Sequence, residues 1–274
     1  MSKVTLMDGA CGTLLMTQGL DPSVCFESIN KTDPSRILKM HRSYIQAGAE
    51  VIVTNTFGAN RPRLAAKRMS GRLEKINRLG VQLAKKAAGC SMRAARAVRV
   101  WASIGPLGTE ARKMSGPVMI RYFREQVRAL DRERPNGYLV ETMISLAEAE
   151  AAARAVREIS DRTLCVLMTI PVRRDRTSVK TMELISGTLR GAGADRIGVN
   201  CGLGPQEVYD SLKILSHVDA GPFCARPAAG RFPDVISPRH FAAWAKKINE
   251  LGVDWIGGCC GTTPAHIRAI RSAL

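Results

Sequence analysis

Eight times along this chain a short apolar run ends in a small or polar turn and gives way to a stretch with helical spacing. No other feature limits the fold so strongly, because parallel strands need a crossover of a dozen residues or more, and a helix usually supplies it. The strand-like runs are 4–7, 50–54, 98–104, 138–140, 164–169, 196–200, 222–225 and 255–256. Helix-like sequence occupies about 36–47, 73–88, 118–132, 146–159, 181–190, 206–215, 238–250 and 264–272. Eight such units in 274 residues predict an α/β chain with one domain, a (β/α)8 TIM barrel over 1–274. A doubly wound open sheet alternates in the same way and is the competing architecture. The unusual residues favour the barrel. Asp8, Thr54-Asn55, Glu141, Cys201 and Cys259-Cys260 each follow a strand, and a barrel gathers those ends at one face.

Composition narrows the setting. Hydrophobic residues make up 45% and aromatics only 5%, so the core should be aliphatic. No apolar run reaches the length of a membrane span, and no membrane partner is expected. The first residues enter a strand directly, without the apolar region of a signal peptide, and eight cysteines then indicate a reducing, cytoplasmic setting. The formal charge is +17. Its carriers are scattered: Arg93, Arg96 and Arg99 cluster loosely, as do Arg121, Arg124, Arg128, Arg132 and Arg134. Without a long basic tract or interleaved aromatics, nucleic acid is not an expected partner. A solvated basic surface is the first reading and an acidic protein partner the second.

Chemistry concentrates at two strand ends. Ile256-Gly257-Gly258-Cys259-Cys260-Gly261-Thr262-Thr263-Pro264 reads as strand, turn and helix, with Thr263 as N-cap and Pro264 at the first helical position. Ile197-Gly198-Val199-Asn200-Cys201-Gly202 repeats the pattern with one cysteine. If these ends are close, Cys201, Cys259 and Cys260 form a three-thiolate set. Such a set suits zinc and leaves its fourth position open, as catalytic sites do. Cys11, Cys25, Cys90, Cys165 and Cys224 lack that context; Cys165 reads as core, and Cys11 lies in the first turn, near enough to approach the site. Asp8 and Glu141 are carboxylates at strand ends, suited either to capping or to holding the ammonium of an amino-acid substrate. His41, His217, His240 and His266 have no ligand spacing and read as structural.

At these residues the chain resembles the homocysteine S-methyltransferase family. The resemblance rests on Asp8-Gly9-Ala10-Cys11-Gly12-Thr13, Ala47-Gly48-Ala49-Glu50, Thr54-Asn55-Thr56-Phe57-Gly58-Ala59-Asn60, Ser103-Ile104-Gly105-Pro106 and Val140-Glu141-Thr142. More specific are Gly198-Val199-Asn200-Cys201 and Gly258-Cys259-Cys260-Gly261. The resemblance implies a zinc-dependent (β/α)8 barrel, with zinc on Cys201, Cys259 and Cys260, and with Asp8 and Glu141 at the amino end of L-homocysteine. Gly261-Thr262-Thr263-Pro264 looks most like the homocysteine module of cobalamin-dependent methionine synthase. One departure stands out: Ala228-Ala229-Gly230 replaces the Asn-Ala-Gly usual after strand seven, and Arg226 and Arg231 beside it are also unusual.

The implied reaction converts the homocysteine thiol to the thioether of methionine. Only a thiolate is a good nucleophile, and a metal lowers the thiol's pKa. None of the four histidines completes an Asp-x-His cobalamin signature, so methylcobalamin would arrive on a separate corrinoid protein, an acidic one if the basic surface docks it. Two rivals remain. One keeps the barrel and zinc but uses S-methylmethionine, betaine or another methyl donor, or another thiol acceptor. The other is a basic binding protein whose zinc is structural.

Overall fold

In the computed structural model, residues 4–89, 97–170, 178–202, 204–231 and 234–274 are described. Cys90, Arg93, Arg96 and the polar loop Arg173–Arg176 lie outside them. The elements begin with β1 (Thr5–Leu6), α1 (Gly12–Thr17), α2 (Ile29–Thr32), α3 (Pro34–Gln46), β2 (Val51–Val53), α4 (Arg61–Ala66) and α5 (Leu73–Gly89). Then come β3 (Arg99–Ile104), α6 (Gly116–Asp131), β4 (Gly137–Met143), α7 (Leu146–Arg157), β5 (Thr163–Met168) and α8 (Val179–Gly191). The last group is β6 (Arg196–Cys201), α9 (Pro205–Val218), β7 (Phe223–Pro227), β8 (Gly230–Arg231), β9 (Asp234–Val235), α10 (Pro238–Glu250), β10 (Trp255–Ile256) and α11 (Pro264–Ala273).

Eight strands pair in the order β1-β10-β7-β6-β5-β4-β3-β2, every pair parallel. The two ends of that order meet. Met7 bridges Val51, and the Asp8 N–H donates to the Val51 carbonyl at 2.9 Å. A doubly wound sheet would leave two open edges, so this closure decides for the barrel.

The segments predicted from the sequence recur with ends shifted by a few residues. Local chemistry explains the helix boundaries. Asp33 accepts the Arg36 N–H at the start of α3 beside Pro34, and Gly48 closes it with φ 107°. Ser145, Ser178 and Ser237 cap α7, α8 and α10 in the same way. The short helices α1, α2 and α4 and the small antiparallel hairpin β8–β9 were not expected; helices of six residues or fewer carry no readable period.

Apolar packing forms two concentric layers. Inside the ring lie Met7, Val51, Val53, Trp101, Leu139, Cys165, Leu167, Cys224 and Trp255. Cys165 is thus core, as expected. Trp101 meets Trp255 edge-on at 4.7 Å, and Arg99 and Arg196 lie over the Trp255 ring from its other sides. Between ring and helices lies a larger, mainly aliphatic cluster, including Ile37, Val81, Leu130, Val156, Leu189 and Ile267. Among the described residues, no helix is long and apolar enough to cross a membrane.

Candidate active site

The C-terminal ends of the strands open into a cavity of about 580 Å³. Cys11, Asn55, Ser103, Glu141, Cys201, Arg226, Cys259 and Cys260 are on its wall. The ring therefore brings the sequence-predicted cysteines together with Glu141, while Asp8 sits deeper, off the wall and buried.

The three sulfurs of Cys201, Cys259 and Cys260 lie within 4.8 Å of one another, and Cys201 Sγ is 3.9 Å from Cys260 Sγ. A disulfide needs sulfurs about 2.05 Å apart, so these are separate thiols. Sulfurs around a tetrahedral ion with metal–sulfur bonds of about 2.3 Å sit about 3.8 Å apart, so the trio fits zinc. Among the described residues no fourth Cys, His, Asp or Glu joins the cluster. Crowding works against ionisation in the absence of a cation. The Cys259 thiol is held well above its usual value, first by the hydrogen bonds it donates to Cys201 and Cys260 and then by burial. For Cys201 a hydrogen bond from Cys259 lowers the pKa, but Cys260 and burial outweigh it and push it up to about 11. A bound cation would reverse the sign of that crowding.

Backbone hydrogen bonds hold the two cysteine turns together. The end of β7 and the two residues after it run between them. Ala228 N–H donates to the Cys201 carbonyl at 3.2 Å, Ala229 N–H to the Cys260 carbonyl at 2.8 Å, and Cys259 N–H to the Pro227 carbonyl at 2.8 Å. The turn after Cys260 requires glycine. Gly261 has φ 79°, and a Cβ there would lie 2.5 Å from the Gly230 carbonyl oxygen. Thr262 Oγ1 donates to the Cys259 carbonyl at 2.7 Å and accepts the Ala10 N–H at 3.0 Å, joining this turn to the end of β1. Thr263 and His266 close a reciprocal cap on α11, and the other ring nitrogen of His266 meets the Ile236 carbonyl at 2.9 Å. His266 is structural, and so is His41, buried in α3.

Asn200 is the residue that ties β4 to the thiols. Its Oδ1 accepts the Thr142 N–H at 2.9 Å, its Nδ2 donates to Thr142 Oγ1 at 2.9 Å, and Nδ2 lies 4.0 Å from Cys259 Sγ. Thr142 and Cys201 both adopt left-handed backbone, φ 62° and 63°. Such conformations cost about 1–3 kcal/mol each for residues other than glycine, and they persist where surrounding contacts fix them, as Asn200 does here.

The second feature is charged. Arg226 lies inside the barrel mouth, its side chain 4% exposed. Its Nη2 donates to Asp8 Oδ1 at 3.0 Å and to the Gly9 carbonyl at 3.3 Å, and its Nε donates to the Gly258 carbonyl at 3.1 Å. Nη1 has no hydrogen-bond partner and stands 3.8 Å from Glu141 Oε2. Asp8 Oδ2 accepts the Val53 N–H at 2.7 Å, and Glu141 Oε1 accepts the Ser103 hydroxyl at 2.6 Å. Burial pushes the Asp8 carboxyl up to about 7 against the pull of Arg226. Burial also pulls the Arg226 guanidinium down, but Glu141 and Asp8 more than offset that and keep it charged.

Sequence reasoning singled out Arg226 only as unusual. A readable signal existed. Strand residues alternate between faces, Cys224 packs inside the ring, and Arg226 two positions on must face inward too, provided β7 extends past Ala225. Cys11, which sequence reasoning set apart from the trio, lines the cavity, its Sγ 3.2 Å from Asn55 Oδ1 and outside the metal-spaced trio.

Comparison with known proteins agrees with this geometry. A family model for homocysteine S-methyltransferase matches residues 5–274. Methionine synthase of Mycobacterium tuberculosis is 32% identical over 301 residues, covering 99% of this chain and 25% of that protein. Methionine synthase of Mycobacterium leprae is 30% identical over 298 residues, covering 99% and 24%. The chain thus spans about a quarter of the length of these relatives. Among solved structures, the metallated form of the homocysteine methyltransferase MmuM from Escherichia coli shares the fold, with a TM-score of 0.86 at 23% identity over 100% of this chain and 97% of that one.

Proposed function

This chain belongs to the homocysteine S-methyltransferase family, and on that premise we propose that it transfers a methyl group to the thiol of L-homocysteine, giving methionine, with zinc on Cys201, Cys259 and Cys260. The observation that carries the reading is the open trio of sulfurs on the cavity wall. A closed structural site takes four protein ligands, and three leave room for an acceptor. Zinc, when bound, supplies a Lewis acid that lowers the pKa of a thiol beside it.

The chain's own residues do the rest. The cysteine turns fix the sulfurs before any acceptor arrives, through the Pro227, Ala228 and Ala229 backbone. The three thiols are half-buried on the cavity wall, which limits their contact with bulk water. The acceptor's amino end is assigned to the acidic wall of Asp8 and Glu141; of the two, Glu141 reaches the cavity and Asp8 supports it from behind.

Methylcobalamin on a separate corrinoid protein is the proposed donor, supported by the likeness to methionine synthases four times as long. The basic surface would dock an acidic partner, although part of it is paired within the chain: Arg124 meets Glu158 and Arg132 meets Glu74. Donors of the sulfonium or betaine type remain the alternative within the same site.

Zinc X-ray absorption with and without L-homocysteine tests the proposal. The expected result is a change from three sulfur neighbours plus one light atom to four sulfurs. Four sulfurs before homocysteine is added, or no metal retained, would refute it and favour a structural role. For the donor, turnover with a methylated corrinoid protein should fall as salt rises; salt-independent turnover would count against electrostatic docking.

A further inference from the structure

The geometry points to Asn200 as a positioning residue that fixes the distance between the thiol cluster and Glu141, and thereby selects the chain length of the acceptor. This inference rests on the thiol-methylating reading above and names its acceptor class more closely: an aminothiol whose sulfur and ammonium are separated as in homocysteine, not one methylene closer.

The two ends of such an acceptor meet different strands. Its sulfur belongs with Cys201 on β6 and with Cys259 and Cys260 after β10, and its ammonium with Glu141 on β4. β5 lies between β4 and β6, so no strand ladder joins Glu141 to the cysteine strands directly. Glu141 also sits on an irregularity. Val140 pairs with Val166 and Met143 with Met168, so β4 carries one residue more than β5 across Glu141 and Thr142. A bulge of this kind re-aims side chains and interrupts the ladder that would otherwise hold them.

Asn200 supplies the missing tie. It is fully buried. Its side-chain amide accepts the Thr142 N–H and donates to the Thr142 hydroxyl, each at 2.9 Å. The Thr169 hydroxyl, just beyond β5, donates to the Asn200 carbonyl at 3.0 Å and to its Oδ1 at 3.3 Å. Thr142 directly follows Glu141, and its left-handed backbone is unfavourable for a β-branched residue unless something holds it. On the other side, Asn200 directly precedes Cys201 and lies 4.0 Å from Cys259 Sγ. One amide thus touches both halves of the site. Discrimination between thiols that differ by one methylene needs such a tie. A methylene in a well-defined pocket is worth about 10–200-fold, and a site free to drift loses that difference, because the shorter acceptor can then reach both ends.

The test compares binding of L-homocysteine and of L-cysteine, which is one methylene shorter, to the zinc-saturated protein by calorimetry, without any methyl donor. The wild type should prefer homocysteine by about tenfold or more. Asn200→Ala should cut that ratio by about fivefold or more. A merely structural role would weaken both thiols alike and leave the ratio where it was. Thr142→Val removes the hydroxyl that faces Asn200 Nδ2 while keeping the side-chain shape. It should move the ratio in the same direction, and it decides if Asn200→Ala does not fold or hold zinc. A smaller fall in folded, zinc-loaded protein, or a wild-type preference below about tenfold, would overturn the inference while leaving the methyltransferase reading in place. Binding of neither thiol would sink both readings together.

Discussion

Two clusters of acidic side chains share the barrel mouth, and they are built to opposite ends. In one, three sulfurs lie within 4.8 Å of one another. In the other, two carboxylates hold Arg226 at 3.0 and 3.8 Å. Both concentrate like charge in a place poor in water, which is unfavourable unless something positive arrives. The thiol cluster is suited to a cation from solution, and the carboxylate cluster is partnered by a cation from within the chain. The same electrostatic problem thus has one answer that needs a bound ion and one that is built into the chain.

Breaking each side tests the contrast. The largest effect should come from the thiols. Cys201→Ser, Cys259→Ser and Cys260→Ser should each lower zinc affinity by more than the roughly 10–100-fold typical of losing an outer hydrogen-bond partner, read by chelator competition. The carboxylate side should respond in stability instead. Arg226→Met strands two buried carboxylates and should cost about 3–5 kcal/mol in denaturant unfolding. Adding Asp8→Asn should recover part of that loss, whereas no second substitution should rescue a missing cysteine.

A third buried group sharpens the comparison because it has neither solution. His41 is fully buried, neither ring nitrogen has a partner, and burial alone pulls its pKa down to about 4. Between pH 6.5 and 4 the unfolded chain therefore binds the proton that the folded chain refuses. Its contribution is fully present above pH 6.5 and is lost as pH falls toward 4, by up to about 3 kcal/mol. His41→Leu should flatten the acid limb of a stability–pH curve; an unchanged limb would show that His41 is not its source. The smallest effect belongs to the link between the clusters. Asn200→Ala removes both contacts to Thr142 and should lower zinc affinity by about tenfold with little change in global unfolding.

The fold was legible because its signals are local and repeated. Apolar runs followed by Ser, Asp or Thr caps recur at α3, α7, α8, α10 and α11, and each marks one strand–helix unit. The cysteine trio was legible for a related reason, since glycine-flanked cysteines at strand ends have few other uses. Closure of the ring was not readable directly, because the Met7–Val51 bridge depends on accumulated strand tilt. Arg226 escaped because β7 was expected to stop at Ala225. Two more strand residues turn an apparent loop arginine into one that faces inward, onto Asp8 and the Gly9 and Gly258 carbonyls. Short α1 and α4 escaped because six residues cannot show a period.

The splint between the two cysteine turns has a consequence for how this site can change over time. All three of its hydrogen bonds are made by main-chain atoms of Pro227, Ala228, Ala229, Cys201, Cys259 and Cys260. The methyl group of Ala228 takes no part in them. Any residue with a backbone N–H can make the Ala228 hydrogen bond, so the side chain at that buried position can change, within the room around it, without removing a bond that spaces the sulfurs. A catalytic centre held in this way can explore new acceptors one side chain at a time, because its skeleton is insensitive to the experiment.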